Sequence, residues 1–154
     1  MSLFTVFKIS AQGMSAQRER LEAASSNLAN ANSTRTADGG QYRRRDIIFE
    51  TVPVIDSSSS NNTFGNSFDS VLHSARDSAQ GVQASAQLAP SDQVIKRFDP
   101  NHPDADPNGY VSLPDVDPLE ETVNMLSAAR SFEANATAFN TAKELARASL
   151  RLSE

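Results

Sequence analysis

The two ends of the chain each carry a long amphipathic pattern, and these patterns constrain the fold more than any other feature. Within residues 3–32, large apolar side chains recur every seven residues, at Phe7, Met14, Leu21 and Leu28. A seven-residue apolar repeat places its members along one narrow stripe of a helix, as in a coiled coil. The pattern predicts an N-terminal helix of about 30 residues.

A second helix is predicted over residues 117–152. Asp117 suits the N-cap, and Pro118 suits the first helical position. Glu120 and Glu121 would lie in the first turn, where acidic side chains complement the helix dipole. Apolar residues then follow in steps of three and four, namely Leu119, Val123, Leu126, Ala129, Phe132, Ala136, Phe139, Ala142, Ala146 and Leu150.

These two helices are long for a chain of 154 residues. At 1.5 Å per residue they would measure about 45 and 54 Å, whereas a compact chain of this size is about 40 Å across. Hydrophobic residues make up only 38% of the chain, so a small middle region cannot cover both stripes. We expect the helices to pack on each other and protrude, leaving parts of the stripes to cover other copies. An ordinary helical bundle with a β insertion remains the alternative.

The segment between the helices is predicted to be rich in β structure. Strand-forming residues bounded by turn signals occur at 42–54, 82–88 and 94–98. Pro53 indicates that the first of these is an edge strand. The strands would form one small sheet of three or four strands. The remaining predictions are a flexible loop at 57–66, a short helix at 68–75 and a run of turns at 99–118.

The predicted fold class is therefore α+β, with long terminal helices packed as a coiled-coil-like pair around a small β-rich middle domain. The predicted divisions are an N-terminal assembly helix at 1–34, a middle domain at 35–116 with a flexible insertion near 57–79, and a C-terminal assembly helix at 117–154.

Composition argues against several classes of function. The chain has no cysteine, two histidines and a net charge of −5, which disfavours thiolate metal sites, histidine catalysis and nucleic-acid binding. We find no catalytic or nucleotide-binding motif and no apolar run long enough to span a membrane. The start of the chain does not read as a secretory signal. We therefore expect no enzyme, no cofactor, no nucleic-acid partner and no membrane insertion.

Residues 104–115 nevertheless resemble a calcium-binding loop. The segment follows the pattern D-x-[DN]-x-[DN]-G-x5-E with Gly109 at the sixth position, but its last residue is Asp115 instead of glutamate. Pro107 and Pro114 interrupt the loop, and Pro103 prevents an entering helix. Asx and proline turns before the last helix explain the same residues. A calcium-binding adaptor domain is the alternative function.

The predicted helices contain asparagine and glycine, which are poor helix formers, so the presence of these residues requires an explanation. Asn27 and Asn30 either face water or hydrogen-bond across a helix–helix interface and fix its register. Gly13 permits either a close helix contact or a hinge. The basic run 43–45 reads better as solvated charges on an edge strand than as a phosphate site, because alternate residues of a strand point in opposite directions.

Two sequence motifs resemble a known family. Residues 25–32, SSNLANAN, followed by the Tyr-Arg-Arg of residues 42–44, resemble the N-terminal signature of flagellar rod and hook proteins. Residues 98–117 and 121–135 resemble a proximal rod member of the same family. The resemblance covers about residues 3–54 and 80–152, whereas residues 57–79 match no family pattern.

The resemblance implies a non-enzymatic, axial component of the bacterial flagellum. Family members leave the cytoplasm through the flagellar type III export apparatus, without a cleaved signal peptide, and their ends tend to be disordered before assembly. They polymerise helically with copies of themselves and with other rod proteins to form the rod of the basal body, which transmits torque from motor to hook. Their terminal helices form the wall of the tube.

The pattern and the resemblance together predict an assembly interface on the two terminal helices. Its predicted members are Phe7, Met14, Leu21, Asn27, Leu28, Asn30, Leu119, Val123, Leu126, Phe132, Phe139 and Leu150.

Overall fold

A computed structural model describes residues 3–36, 39–54, 80–90 and 94–151. In chain order, the elements of these residues are α1 (Leu3–Asn30), β1 (Arg45–Pro53), β2 (Gln80–Leu88), β3 (Val94–Phe98), β4 (Tyr110–Pro114) and α2 (Pro118–Arg151). The α+β class with two long terminal helices is confirmed. Whether residues 1–34, 35–116 and 117–154 behave as separate domains stays a prediction. The predicted loop at 57–66 and helix at 68–75 lie outside the described residues.

Both helices begin and end close to the predicted positions, because local signals set their ends. Asp117 caps α2: its carboxylate Oδ1 accepts a hydrogen bond from the amide of Leu119 at 2.8 Å. The two acids predicted for the first turn, Glu120 and Glu121, both lie there. At the end of α1, the side-chain amide of Asn30 donates to the carbonyl of Ser26, one turn earlier, at 2.8 Å.

The helices pack on each other in an antiparallel arrangement. The ring of Phe7 lies 4.9 Å from that of Phe139, measured between centroids, and Arg20 donates to the Oδ1 of Asn124 at 2.9 Å. In these contacts the residue number rises along α1 while it falls along α2, so the two helices run in opposite directions. The predicted pairing of the terminal helices is confirmed.

Small residues line the interface between the helices. On α2, Glu121, Ala128 and Ala142 are buried at seven-residue multiples, and Asn135 occupies the position between the two alanines. The buried apolar residues of α1 are all alanines, at Ala16, Ala23, Ala24 and Ala31 within and just beyond the helix. Small side chains allow two helix axes to approach closely, which explains why the interface buries few large side chains.

At Gly13 the side chain of Asn135 on α2 lies directly against the backbone of α1. A Cβ atom at this position would lie 2.9 Å from the Nδ2 of Asn135, which is too short for a non-bonded contact. Helix α1 runs uninterrupted through Gly13. Of the two sequence interpretations, the close helix contact is therefore confirmed and the hinge is not.

The strands form two separate antiparallel pairs. β1 pairs with β2, with Arg45 opposite Leu88 and Pro53 opposite Gln80. β3 pairs with β4, with Val94 opposite Pro114 and Phe98 opposite Tyr110. The β1–β2 hairpin packs on α1, where Gln12 lies against Gly81.

Two strand predictions need correction. The expected single sheet of three or four strands is wrong, because the described strands divide into two sheets of two. The run of turns at 99–118 contains the short strand β4, whose Val111 and Leu113 are buried. Pro114 is tolerated at the end of β4 because each strand of a two-stranded sheet has a free edge.

Candidate assembly surface

Asn27 joins three elements at the end of the helix pair. Its side chain is only 1% exposed. Its Nδ2 group donates to the backbone carbonyl of Arg45 at 2.9 Å and to the Oε1 of Glu121 at 3.2 Å. Its Oδ1 accepts from the amide of Arg45 at 2.9 Å and from the hydroxyl of Tyr42 at 2.9 Å. Both donors and both lone pairs of the amide are thus used, and the side chain links α1 to β1 and α2. We call this group of contacts the Asn27 junction.

Glu121 is the acidic member of the Asn27 junction and is only 4% exposed. Burial raises the pKa of its carboxyl, as do the charges of Glu120 and Asp46, while the hydrogen bond from Asn27 and the charge of Arg44 oppose the rise. The sequence predicted the place of Glu121 in the first turn of α2 but not its burial. The available signal was its position seven residues before Ala128, on the face of α2 that contacts α1.

An apolar face of α2 points away from the helix pair. Leu119, Val123 and Leu126 are 73%, 58% and 57% exposed. Their spacing of four and three residues places them on one face. Glu121 and Ala128, which are buried, follow Leu119 and Leu126 by two residues and therefore lie about 200° further around the helix. The two faces are nearly opposite, so α1 leaves the first one uncovered.

The other predicted interface residues divide by exposure. The α1 repeat is half-buried along one edge of the helix pair, and Phe139 is half-buried against Phe7. Phe132 and Leu150 are exposed. The assignment of the whole set to contacts between subunits stays a prediction. Its half-buried members are Phe7, Met14, Leu21, Leu28 and Phe139.

The two asparagines of α1 differ in what they contact. The predicted contact of Asn27 across the helix–helix interface is confirmed by its hydrogen bond to Glu121. Asn30 does not bridge the helices: it donates to Ser26 within its own helix, and its Oδ1 accepts from the hydroxyl of Ser33 at 3.3 Å. The side chain of Asn30 turns back onto its own helix, to the carbonyl one turn earlier, instead of reaching across.

The geometry does not support the calcium loop. Gly109 has a φ of +80° and closes a tight turn, in which its amide donates to the carbonyl of Asp106 at 2.7 Å. β4 begins at the next residue and carries the chain away, so Asp115 is separated from the early acids by a strand. Asp104 instead accepts from the hydroxyl of Thr34 at 2.7 Å. Within the described ranges, no group of three or more acidic, histidine or cysteine side chains is placed to hold a metal ion.

The basic run at 43–45 is engaged locally. Arg43 donates to the carbonyl of Ala89 at 2.7 Å, and Arg44 pairs with Asp46 at 2.8 Å. These contacts agree with edge-strand charges and leave no converging set of guanidinium groups. Neither described helix is both long and apolar enough to cross a bilayer.

Comparison with known proteins defines the class first. Residues 7–35, which cover most of α1, match the family model described as flagella basal body rod protein. Residues 108–152, which cover β4 and α2, match the model described as flagellar basal body rod FlgEFG protein C-terminal. The N-terminal and C-terminal regions of the chain therefore each match a family of flagellar rod proteins.

Full-length relatives narrow the class. The chain is 36% identical to the flagellar basal-body rod protein FlgC of Borreliella burgdorferi, with 99% of this chain and 98% of that protein covered. It is also 36% identical to FlgC of Salmonella typhimurium, over the full length of both chains, and 37% identical to FlgC of Bacillus subtilis, over 93% of each. The chain belongs to the FlgC family of flagellar basal-body rod proteins. This is a family of structural proteins, so the expectation that the chain is not an enzyme is confirmed.

Proposed function

We propose that the chain is a structural subunit of the proximal rod, which polymerises helically with its own copies and with other rod proteins and transmits torque from motor to hook. The observation that carries this proposal is the uncovered apolar face of α2, at Leu119, Val123 and Leu126, in a chain that aligns with rod proteins from end to end.

The exposed face gives assembly a physical driving force. Each large apolar side chain contributes about 1.5–3 kcal/mol when it is fully removed from water. Helix α1 already occupies the opposite side of α2, and within the part of the chain that the structure describes this face stays exposed, so a neighbouring subunit would gain by covering it. A head-to-tail contact that does not close on itself builds a helical filament, and α2, with 34 residues, provides a long contact along such a filament.

We further propose that the subunit reaches the basal body through the flagellar type III export apparatus, without removal of a signal peptide. The resemblance of the N-terminal region to flagellar axial proteins supports this route. Mass spectrometry of the subunit recovered from basal bodies should find its first residues intact. Inactivation of the export ATPase should leave the subunit in the cytoplasm. Recovery of an N-terminally trimmed subunit would contradict the proposal.

Deletion of the gene in its own bacterium tests the function directly. We expect the deletion strain to be non-motile and to lack complete rods in electron micrographs of basal bodies. A plasmid copy of the gene should restore both. The matched control is a plasmid copy that ends before α2, which should restore neither. A motile deletion strain with complete rods would exclude the chain as a rod subunit.

A further inference from the structure

Glu121 is a buried acid whose direct polar contact is neutral. Among the described residues, its carboxylate accepts one hydrogen bond, from Asn27 at 3.2 Å, and forms no ion pair within 4.0 Å. The second proton of the Asn27 amide is committed to the carbonyl of Arg45. An ionised carboxylate that is 4% exposed and lacks a contacting cation is costly to bury.

The charged groups around Glu121 do not remove this cost. Arg44 is the cation that acts on it most, but Arg44 is held by Asp46 at 2.8 Å and by Glu120 at 3.8 Å. From α1, the guanidinium of Arg20 is turned to the Oδ1 of Asn124. Glu120 and Asp46 add negative charge beside Glu121. The available positive charge is therefore shared among three carboxylates.

A cavity beside the Asn27 junction gives Glu121 access to water. Its volume is about 390 Å³, and α1, α2 and the start of β1 all contribute to its lining. The two charged residues at the start of β1, Arg45 and Asp46, line the same cavity. Protons can therefore reach the carboxyl without unfolding of the helix pair.

We propose that Glu121 makes the Asn27 junction a proton-sensitive latch: the protonated carboxyl holds α1, α2 and β1 together, and ionisation loosens them. The contact with Asn27 survives protonation, because the carbonyl oxygen of a neutral carboxyl group still accepts from the amide. Ionisation adds a charge, which Asn27 and Arg44 compensate only in part, at the point where the three elements meet. The latch lies where α1 ends, α2 begins and β1 starts. The protonation state of Glu121 therefore sets how firmly the two helices are held against β1.

The sign of the pH dependence follows from linkage. Burial raises the pKa of Glu121 in the folded chain, so the folded state binds its proton more tightly than the unfolded state. The free energy of unfolding then falls as pH rises from the ordinary range of a glutamate pKa to the raised value, and stays constant above it. The stabilising contribution is complete below the ordinary range.

Thermal unfolding of the full chain between pH 4 and pH 8 tests the latch. We compare the wild type, Glu121→Gln and the control Glu133→Gln, which changes an exposed acid of α2 that does not act on Glu121. The glutamine amide at position 121 keeps an oxygen for Asn27 and cannot ionise. We expect Tm of Glu121→Gln to exceed that of the wild type at pH 8 by roughly 2–4 °C, and this difference to vanish toward pH 4. Glu133→Gln should follow the wild type across the range.

A side-chain carbonyl NMR titration of the wild type provides a measurement that does not depend on any variant folding. The resonance of Glu121 should titrate above the ordinary range of a glutamate side chain. A midpoint within the ordinary range would overturn the proposal, as would a Glu121→Gln variant whose Tm at pH 8 equals or falls below that of the wild type. The latter result would mean that ionised Glu121 is stabilised by Arg44.

Discussion

Asn27 shows how a polar side chain becomes part of a small core. Together with Val111 it is one of the largest side chains that the described structure buries completely. A buried amide is tolerated because each of its hydrogen-bonding positions is satisfied, here by Arg45, Glu121 and Tyr42. Two of these bonds go to the backbone of Arg45, so the amide pairs with the first residue of β1 much as a neighbouring strand would.

Replacement of Asn27 by alanine should therefore be costly. The change removes the Asn27 partner of the Arg45 amide and carbonyl, at a part-buried position, and of the buried Glu121, and a stranded buried polar group costs about 1–3 kcal/mol. We expect the free energy of unfolding, measured by urea denaturation, to fall by at least about 2 kcal/mol. The control is Asn30→Ala, which loses hydrogen bonds near the end of α1 and should cost about 1 kcal/mol or less. Equal losses of unfolding free energy for the two variants would show that the Asn27 junction stabilises the fold no more than the local contacts of Asn30 do.

Sequence reasoning found part of this site. An asparagine inside a predicted helix already suggested a contact across a helix–helix interface, and Asn27 makes one. The same reasoning failed for Asn30, because its side chain has local partners in Ser26 and Ser33 near the end of its own helix. The burial of Glu121 was missed because the favourable interaction with the helix dipole already explains an acidic residue in a first turn. The pairing with Arg45 depends on where β1 passes the helix, which no local pattern encodes.

At the scale of elements, the two helices pack closely through small side chains and bury few large ones. Its fully buried apolar residues are alanines, and Gly13 allows the side chain of Asn135 to approach the backbone of α1. Large side chains contribute at the edge of the interface, where Phe7 meets Phe139. The geometry of this interface is therefore sensitive to the addition of a single methyl group.

A double-mutant cycle at Gly13 and Asn135 tests this close approach. In a helix interior, Gly→Ala normally gains about 1 kcal/mol. We expect Gly13→Ala to forfeit that gain in the wild type, because the new Cβ collides with Asn135, and to recover it when Asn135→Ala is also present. Urea denaturation should give a coupling energy of at least about 0.5 kcal/mol. The exposed position Ala11 calibrates helix propensity, since Ala11→Gly should cost about 1 kcal/mol. Additive effects of the two changes would mean that the helices are further apart.

Elements with strong local signals were predicted well, and their tertiary arrangement was not. The ends of α2 follow from Asp117 and Pro118, and the positions of β2 and β3 follow from their apolar patterns. β4 was missed because its five residues lie among the turn-forming residues of the segment at 99–118. The division into two hairpins depends on which strands meet, and the sequence pattern predicts strands without predicting their partners.

Over the whole molecule, the Asn27 junction lies at one end of the helix pair, and the other end has fewer buried groups. Near that end Phe4, Leu145 and Leu150 are all exposed. We therefore expect both helices of the free subunit to fray from the chain ends toward the junction. Hydrogen exchange followed by mass spectrometry should show protection that declines from 16–30 to 4–14 in α1 and from 118–128 to 135–150 in α2. Uniform protection along both helices would contradict this expectation.

The central claim is that the exposed face of α2 joins the subunit to its neighbours, and incorporation into basal bodies tests it most directly. The variants Val123→Asp and Leu126→Asp place a charge on that face, and a buried unpaired charge costs several kcal/mol. The control is Ala138→Asp, an exposed position of the same helix that lies about 100° around it from Leu119. Each is expressed in place of the wild-type gene, and the subunit is quantified in purified basal bodies. We predict that all three monomers unfold at the wild-type temperature, that Ala138→Asp is incorporated, and that the other two are not. Incorporation of Val123→Asp and Leu126→Asp at wild-type levels would contradict the account.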